Sequence, residues 1–203
     1  MCIAPTVYNF ICVWAYLSLT RMLRKYYDAD VDWSKIADKT VAVIGYGSQG
    51  RAQAANLRDS GLAVIVGVRP GRSFEAASLD GFTTMPVADA VRKADVLAML
   101  VPDESAAEIF RRDMLPWLHD GQTIVFAHGF NIHYGQIVPP PNVDVVMVAP
   151  QGAGPQVRRL FLEDAGVASL IPVYQDVPRS ATAMPLALAV GAVYSIPVLM
   201  AST

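Results

Sequence analysis

The sequence predicts an α/β fold: a doubly wound, mostly parallel sheet with helices on both faces. Three observations predict it. From Thr40 onward, short β-branched runs alternate with helical stretches, as in a parallel sheet with crossover helices. A glycine-rich turn leaves the first of those runs and opens a helix. Hydrophobic residues make up 53% of the 203 and charged ones 17%, too apolar for a disordered chain and not continuous enough for a multi-span membrane protein.

The elements follow in order. TVAVIG (40–45) is the first buried strand, and a helix rich in Ala, Gln and Arg runs from Ser48 to Ser60, stopping at Gly61. AVIVGV (63–68) is the second strand. Arg72 to Asp80 reads as a helix ended by Gly81, Pro86 to Lys93 as another with Pro in its first turn, and DVLAMLV (95–101) as a strand. Asp103 caps a helix read as far as Leu118, Asp120-Gly121 makes a turn, and TIVFA (123–127) and DVVMVA (144–149) are strands separated by the stiff Pro139-Pro140-Pro141 loop. Beyond Pro150 the pattern weakens to a Gly/Pro loop, a strand at SLIPVY (169–174), and an apolar tail from Ala181 to Thr203 that should pack on the sheet, a partner chain or a following domain.

Residues 1–20 carry no charged side chain, and Arg21, Arg24 and Lys25 follow. Pro5, Thr6, Asn9 and Ser18 interrupt the run, so it falls short of the roughly 20 apolar residues of a spanning helix, and its charges come after the apolar stretch rather than before it as in a secretory signal. Residues 1–21 therefore read as an apolar extension outside the native chain, with translation from Met22, against a membrane anchor as the alternative. Residues 22–180 read as the cofactor domain and 181–203 as a tail leading toward a domain beyond it. The only cysteines, Cys2 and Cys12, lie in the extension, which leaves neither a disulfide framework nor a thiolate metal site and points to the cytoplasm. Net charge is -2 with Lys and Arg scattered, so nucleic acid is set aside as a partner.

Gly45-Tyr46-Gly47-Ser48-Gln49-Gly50 fits G-x-G-x-x-G between a buried strand and a helix, which is the Rossmann-type context. Gly45 permits the tight turn, Gly47 lets the backbone approach a pyrophosphate, and Gly50 lets helix and strand pack closely. An ordinary glycine-rich turn is the alternative. Where NAD-selective domains place Asp or Glu after the second strand, this chain has Arg69, Pro70, Gly71, Arg72 and Ser73. Two guanidinium groups and a hydroxyl suit a 2′-phosphate, so NADP is favoured; solvated loop charges are the competing reading.

Seven stretches go beyond a generic domain of this kind: YYDAD (26–30), VAVIGYGSQG (41–50), NLRDSG (56–61), VRPG (68–71), VPDE (101–104), FAHGFNIHYGQIVP (126–139) and DVVMVAPQGAG (144–154). In order and spacing they resemble the N-terminal domain of ketol-acid reductoisomerase, from about Leu23 to Asp176. The resemblance implies an NADPH- and magnesium-dependent enzyme of branched-chain amino-acid synthesis. Its reaction is alkyl migration in a 2-acetohydroxy acid followed by hydride transfer to give a 2,3-dihydroxy acid. It assigns cofactor contacts to Tyr46, Gly47, Ser48 and Gln49, to Arg69 and Ser73, to Asp103 and Glu104, and to Gly154, and an active-site role to His128. His133 reads as a loop contact and His119 as solvent-facing.

The departures are Gln151 in place of a lysine, Arg51 in place of a histidine, and Pro155 after Gly154. Gln151 cannot supply a positive charge. By the same resemblance the family's magnesium ligands lie in a helical domain beyond Thr203, and no carboxylate cluster here has suitable spacing, Glu163-Asp164 being a solvated pair. Metal ligands in this chain are therefore none, and stand-alone turnover is not expected. Two other readings stay open: a non-catalytic NADP-binding module, alone or paired with a separate C-terminal domain or a second copy, and a different NADP-dependent reductase.

Overall fold

Alternate residues along the central strands divide between two cores, which is why the sheet carries helices on both faces. The structure, a computed structural model, describes residues 24–177, 183–194 and 199–201; the extension at residues 1–21 lies outside them. Strands β1 (Arg24–Tyr26), β2 (Thr40–Ile44), β3 (Ala63–Gly67), β4 (Thr83–Met85), β5 (Val96–Met99), β6 (Thr123–Phe126), β7 (Asp144–Met147), β8 (Ala149–Pro150), β9 (Ser169–Leu170), β10 (Val173–Gln175) and β11 (Leu199–Ala201) form two sheets. The larger runs β10-β7-β6-β5-β2-β3-β4, parallel throughout except for β10 against β7. Its order reverses at β2, which pairs β3 through Val41↔Val64 on one side and β5 through Val41↔Val96 on the other. The smaller sheet runs β1-β11-β9-β8.

Val41, Val43, Ala98, Val125 and Val146 face one core, with Ala54 and Leu57 of α1 (Ser48–Asp59). Ala42, Ile44, Leu97, Ile124 and Val145 face the other, with Ala90 and Val91 of α3 (Val87–Lys93) and Ala106 and Ile109 of α4 (Asp103–Ile109). Between β3 and β4 lies α2 (Arg72–Leu79). Three further helices complete the set: α5 (Phe130–His133, one turn), α6 (Gly154–Leu162) and α7 (Ala183–Tyr194). Of the three surfaces open to the apolar tail, α7 takes the sheet: Leu186, Ala187, Ala189, Val190 and Val193 are buried in the first core. No helix among the described residues is long and apolar enough to cross a membrane.

Three local expectations are corrected. The helix read from Asp103 to Leu118 stops at Ile109, continues as a π turn (Phe110–Met114) and a 3-10 turn (Leu115–Trp117), and is extended by Leu118, because Pro116 withholds the next backbone donor. SLIPVY is two strands in different sheets, β9 and β10, broken at Ile171-Pro172. The Gly/Pro loop after Pro150 contains α6, which opens on Gly154 with Pro155 at its start and buries Val157.

The turn that leads into β6 is fastened to the end of α3 by one buried amide. Gln122 is fully buried and its Nε2 donates to the carbonyls of Val91 (2.7 Å) and Ala94 (2.8 Å), acceptors left open where α3 ends. Its Oε1 accepts from the His119 N–H. Gln122→Leu is expected to destabilise the fold by about 2–4 kcal/mol, since two carbonyls lose their donor inside the core. Urea unfolding checks this, and a change below about 1 kcal/mol would show that those carbonyls are hydrated.

Candidate cofactor site

The site lies where the sheet reverses order, at the carboxyl ends of β2, β3 and β5, which is where open α/β sheets bind ligands. Gly45 follows β2 with φ 97°, and a Cβ there would meet the Leu100 carbonyl oxygen at 2.9 Å and Val101 Cγ1 at 2.8 Å. A Cβ on Gly50 would overlap the Gly45 carbonyl oxygen. Gly47 differs: nothing lies within 4 Å of its Cβ position, so its bare backbone borders open space. The first bond of α1 joins the Arg51 N–H to the Gly47 carbonyl (2.9 Å), and no side chain caps the helix. The amides of Ser48, Gln49 and Gly50 are therefore free of intrahelical partners and available to an anion.

A cleft of about 700 Å³ opens from this turn, between the turn itself, the Arg69–Ser73 segment and the Leu100–Ser105 segment. Arg69, Arg72 and Ser73 all line it, and both guanidinium groups are exposed. Neither makes an ion pair among the described residues, although Arg69 adds to the pull of Arg112 that holds Asp113 below the usual carboxylate range. Ser105 and Ile109, in the first and second turns of α4, also line the cleft, and no motif in the sequence marks them.

A smaller hollow of about 240 Å³ continues past Gln49 to Asp103, His128 and Asn131. The Phe130 N–H donates to His128 Nδ1 at 3.2 Å, so the neutral ring carries its proton on Nε2. Asp103 Oδ2 is 3.5 Å from the same Nδ1, a pairing that requires a protonated ring. Asn131 is 3% exposed and its Nδ2 reaches both the carbonyl (3.2 Å) and Oδ1 (3.3 Å) of Asp103, joining α5 to α4 beneath the histidine. AHGFNIH signals the histidine; the clamp of Asn131 on Asp103 becomes visible only when the two segments meet.

Gly154 and Glu104 sit elsewhere. Gly154 is buried at the start of α6, and a Cβ on it would overlap the Ser48 carbonyl, so it buttresses the turn from behind and does not line the cleft. Glu104 is exposed and lines neither the cleft nor the smaller hollow. Gln49 is bonded twice, donating to the Gly152 carbonyl (2.8 Å) and accepting from Gln53 (2.9 Å), which fastens the Ala149–Gly154 stretch to the turn.

Residues 35–195 match the acetohydroxy acid isomeroreductase family in its NADPH-binding domain. The chain belongs to that family. Among solved structures, a NADH-preferring ketol-acid reductoisomerase from an uncultured archean is 40% identical, with a TM-score of 0.81 over 89% of this chain and 56% of that one. The chain thus spans just over half the length of that relative. A semialdehyde dehydrogenase NAD-binding protein from Cupriavidus necator (19% identity, TM-score 0.66, 80% of this chain and 62% of that one) shares the fold. So does the Plasmodium falciparum pyrroline carboxylate reductase (13% identity, TM-score 0.61, 83% and 59%).

Within this acetohydroxy acid isomeroreductase domain, Gln151 turns back on β8, its Nε2 donating to the Ala149 carbonyl at 3.0 Å, and it lines neither the cleft nor the smaller hollow. His133 packs edge-on against Tyr134, and His119 is exposed, its Nδ1 3.3 Å from the Asp120 carbonyl. No group of three His, Cys, Asp or Glu among the described residues could hold a metal ion.

The second and third glycines of the motif separate binding from folding. Gly47→Val should fold with stability within about 0.5 kcal/mol of the parent, because its side chain enters open space, and lose NADPH binding. Gly50→Ala should instead destabilise the fold by about 1–3 kcal/mol, because its methyl meets backbone. Thermal melts with parallel NADPH titrations check both; retained binding by Gly47→Val would remove the turn as the site.

Proposed function

We propose that the chain binds NADPH and forms the cofactor half of a ketol-acid reductoisomerase of branched-chain amino-acid synthesis, acting on a 2-acetohydroxy acid. The observation that carries the reading is the single cleft joining unpartnered helix-start amides to Arg69, Arg72 and Ser73. The amides suit the pyrophosphate and the guanidinium groups suit a 2′-phosphate. NADPH, when bound, supplies a hydride. The chain's own residues orient it: Gly47 and Ser48 receive the pyrophosphate, Arg69 and Ser73 the 2′-phosphate, and the Gln49–His128 hollow the nicotinamide end. His128, with its proton on Nε2, can donate a hydrogen bond to a substrate oxygen at that end.

The relative that prefers NADH shows that cofactor choice varies among these enzymes; the charge at Arg69 and Arg72 supports NADPH here. Among the described residues no group of three His, Cys, Asp or Glu could hold a metal ion, and no step of the metal-assisted migration is assigned to this chain. Gln151 favours a second reading, a cofactor-binding module without turnover, because it brings no charge to the site. Cytoplasmic residence, a soluble chain without nucleic-acid partners, and pairing with a second copy or a separate C-terminal domain are parts of the same proposal.

Replacing Arg69 with Asp sets a negative charge beside the expected 2′-phosphate. NADPH affinity should fall by about 10–100-fold, the equivalent of about 1.5–3 kcal/mol for a charged hydrogen bond. NADH affinity should change less than about 3-fold. Calorimetric titration of the parent and Arg69→Asp with both cofactors reads this, and tighter binding of NADH than NADPH by the parent would end the NADPH assignment.

A further inference from the structure

The helix that carries half of the 2′-phosphate subsite is weakly packed. Among the residues of α2 only Ala77 is buried, and the segment leading into the helix passes through Gly71 at φ 134°. Phe74 and Ala76 add partial burial against the first core. An eight-residue helix with one fully buried side chain, entered through a glycine, relies on further contacts to hold Arg72 and Ser73 in place.

That restraint sits at the other end of the helix. Asp80, the residue after α2, is joined to the glycine turn and to α1 at three points. Its Oδ2 accepts from the Tyr46 hydroxyl at 2.7 Å. Its two carboxylate oxygens take a bidentate pair from Arg51, Nε to Oδ2 and Nη2 to Oδ1, both at 2.9 Å. Its carbonyl accepts from Arg58 Nη1 at 2.8 Å. The Arg58 guanidinium lies over the Phe82 ring at 4.5 Å, and the Tyr46 ring meets Phe82 edge-on at 5.8 Å. A bidentate guanidinium–carboxylate pair fixes angle as well as distance, so these contacts hold the helix in one orientation against the turn. The Tyr46 hydrogen bond, followed by Arg51, keeps the Asp80 carboxyl below its ordinary range. Burial, with the Asp80 bond second, pushes the Tyr46 phenol up. Around neutral pH the acceptor stays ionised and the donor keeps its proton.

Tyr46 belongs to the turn that faces the pyrophosphate, and α2 begins at the 2′-phosphate subsite. We propose that Asp80 is a positioning residue for the cofactor: by latching the far end of α2 to Tyr46 and Arg51, it sets the separation between the two phosphate subsites. The proposal rests on the reading that this chain binds NADPH. Two anchors held at a matched spacing act on one ligand with a high effective concentration, and a loosened spacing loses that gain without weakening either anchor alone.

The test compares ligands that span both subsites with one that does not. NADPH and adenosine 2′,5′-bisphosphate touch the turn and the 2′ subsite; adenosine 2′-monophosphate touches only the latter. For Asp80→Asn and for Arg51→Met, the two spanning ligands should bind about 10-fold more weakly and the monophosphate within about 2-fold of the parent. The double variant should weaken binding by less than the product of the two single effects, because Asp80 and Arg51 share one ion pair. Equal weakening of all three ligands would overturn the proposal in favour of general loosening of the fold, and unchanged NADPH binding by both variants would overturn it outright. Failure of the unaltered chain to bind NADPH would overturn the functional reading and the latch together, whereas tight binding by the parent with no effect of the variants removes the latch alone.

Discussion

Two close approaches of glycine backbone to the phosphate-binding turn decide where the chemistry can occur. Gly50 rests on the Gly45 carbonyl and Gly154 rests on the Ser48 carbonyl, so α1 and α6 begin within van der Waals reach of the same turn. No residue with a side chain can make either approach, and without them the start of α1 could not stand at the end of β2 with its amides unpartnered. The fold's anion-binding capacity is therefore a packing property before it is an electrostatic one.

From that constraint the site extends in two directions along the carboxyl edge of the sheet. Toward β3 the chain supplies positive charge on an exposed loop and a lightly packed helix, whose position depends on Asp80 and the α1 arginines. Toward β6 it supplies His128, Asp103 and Asn131 on segments resting on the second core, where Ala106, Ile109 and Ile132 are buried. Gln49 borders both hollows and also bonds the Gly152 carbonyl, so the residue between the two ends of the cleft is tied to the loop that carries Gln151. The two ends differ in kind: one is positioned by ion pairs, the other by burial.

The central strands were legible because strands buried on both faces are written as unbroken β-branched runs, as in TVAVI and TIVF, and the glycine turn because three glycines stood between such a strand and an Ala-rich helix. Helix α6 was not, because Gly152-Ala153-Gly154-Pro155 carries loop chemistry on its face; Pro at a helix start and Val157, Leu160 and Phe161 at helical spacing were the available signals. The π turn after Ile109 and the break at Ile171-Pro172 arise from local backbone geometry that hydrophobic pattern does not encode. Arg51 read only as a departure from the family pattern, since its partner Asp80 is 29 residues away and the pair exists only once α1 and α2 lie side by side. The same holds for Asn131 and Asp103, 28 residues apart.

If the glycine turn and the Arg69–Ser73 segment are two ends of one cofactor cleft, backbone amide chemical shifts during titration with NADPH report both at once. Saturable shifts of Gly47, Ser48, Gln49 and Gly50 together with Arg69 and Arg72, fitting one dissociation constant, are expected. Shifts at the turn without the arginine segment, or no saturable shift at either, would contradict it.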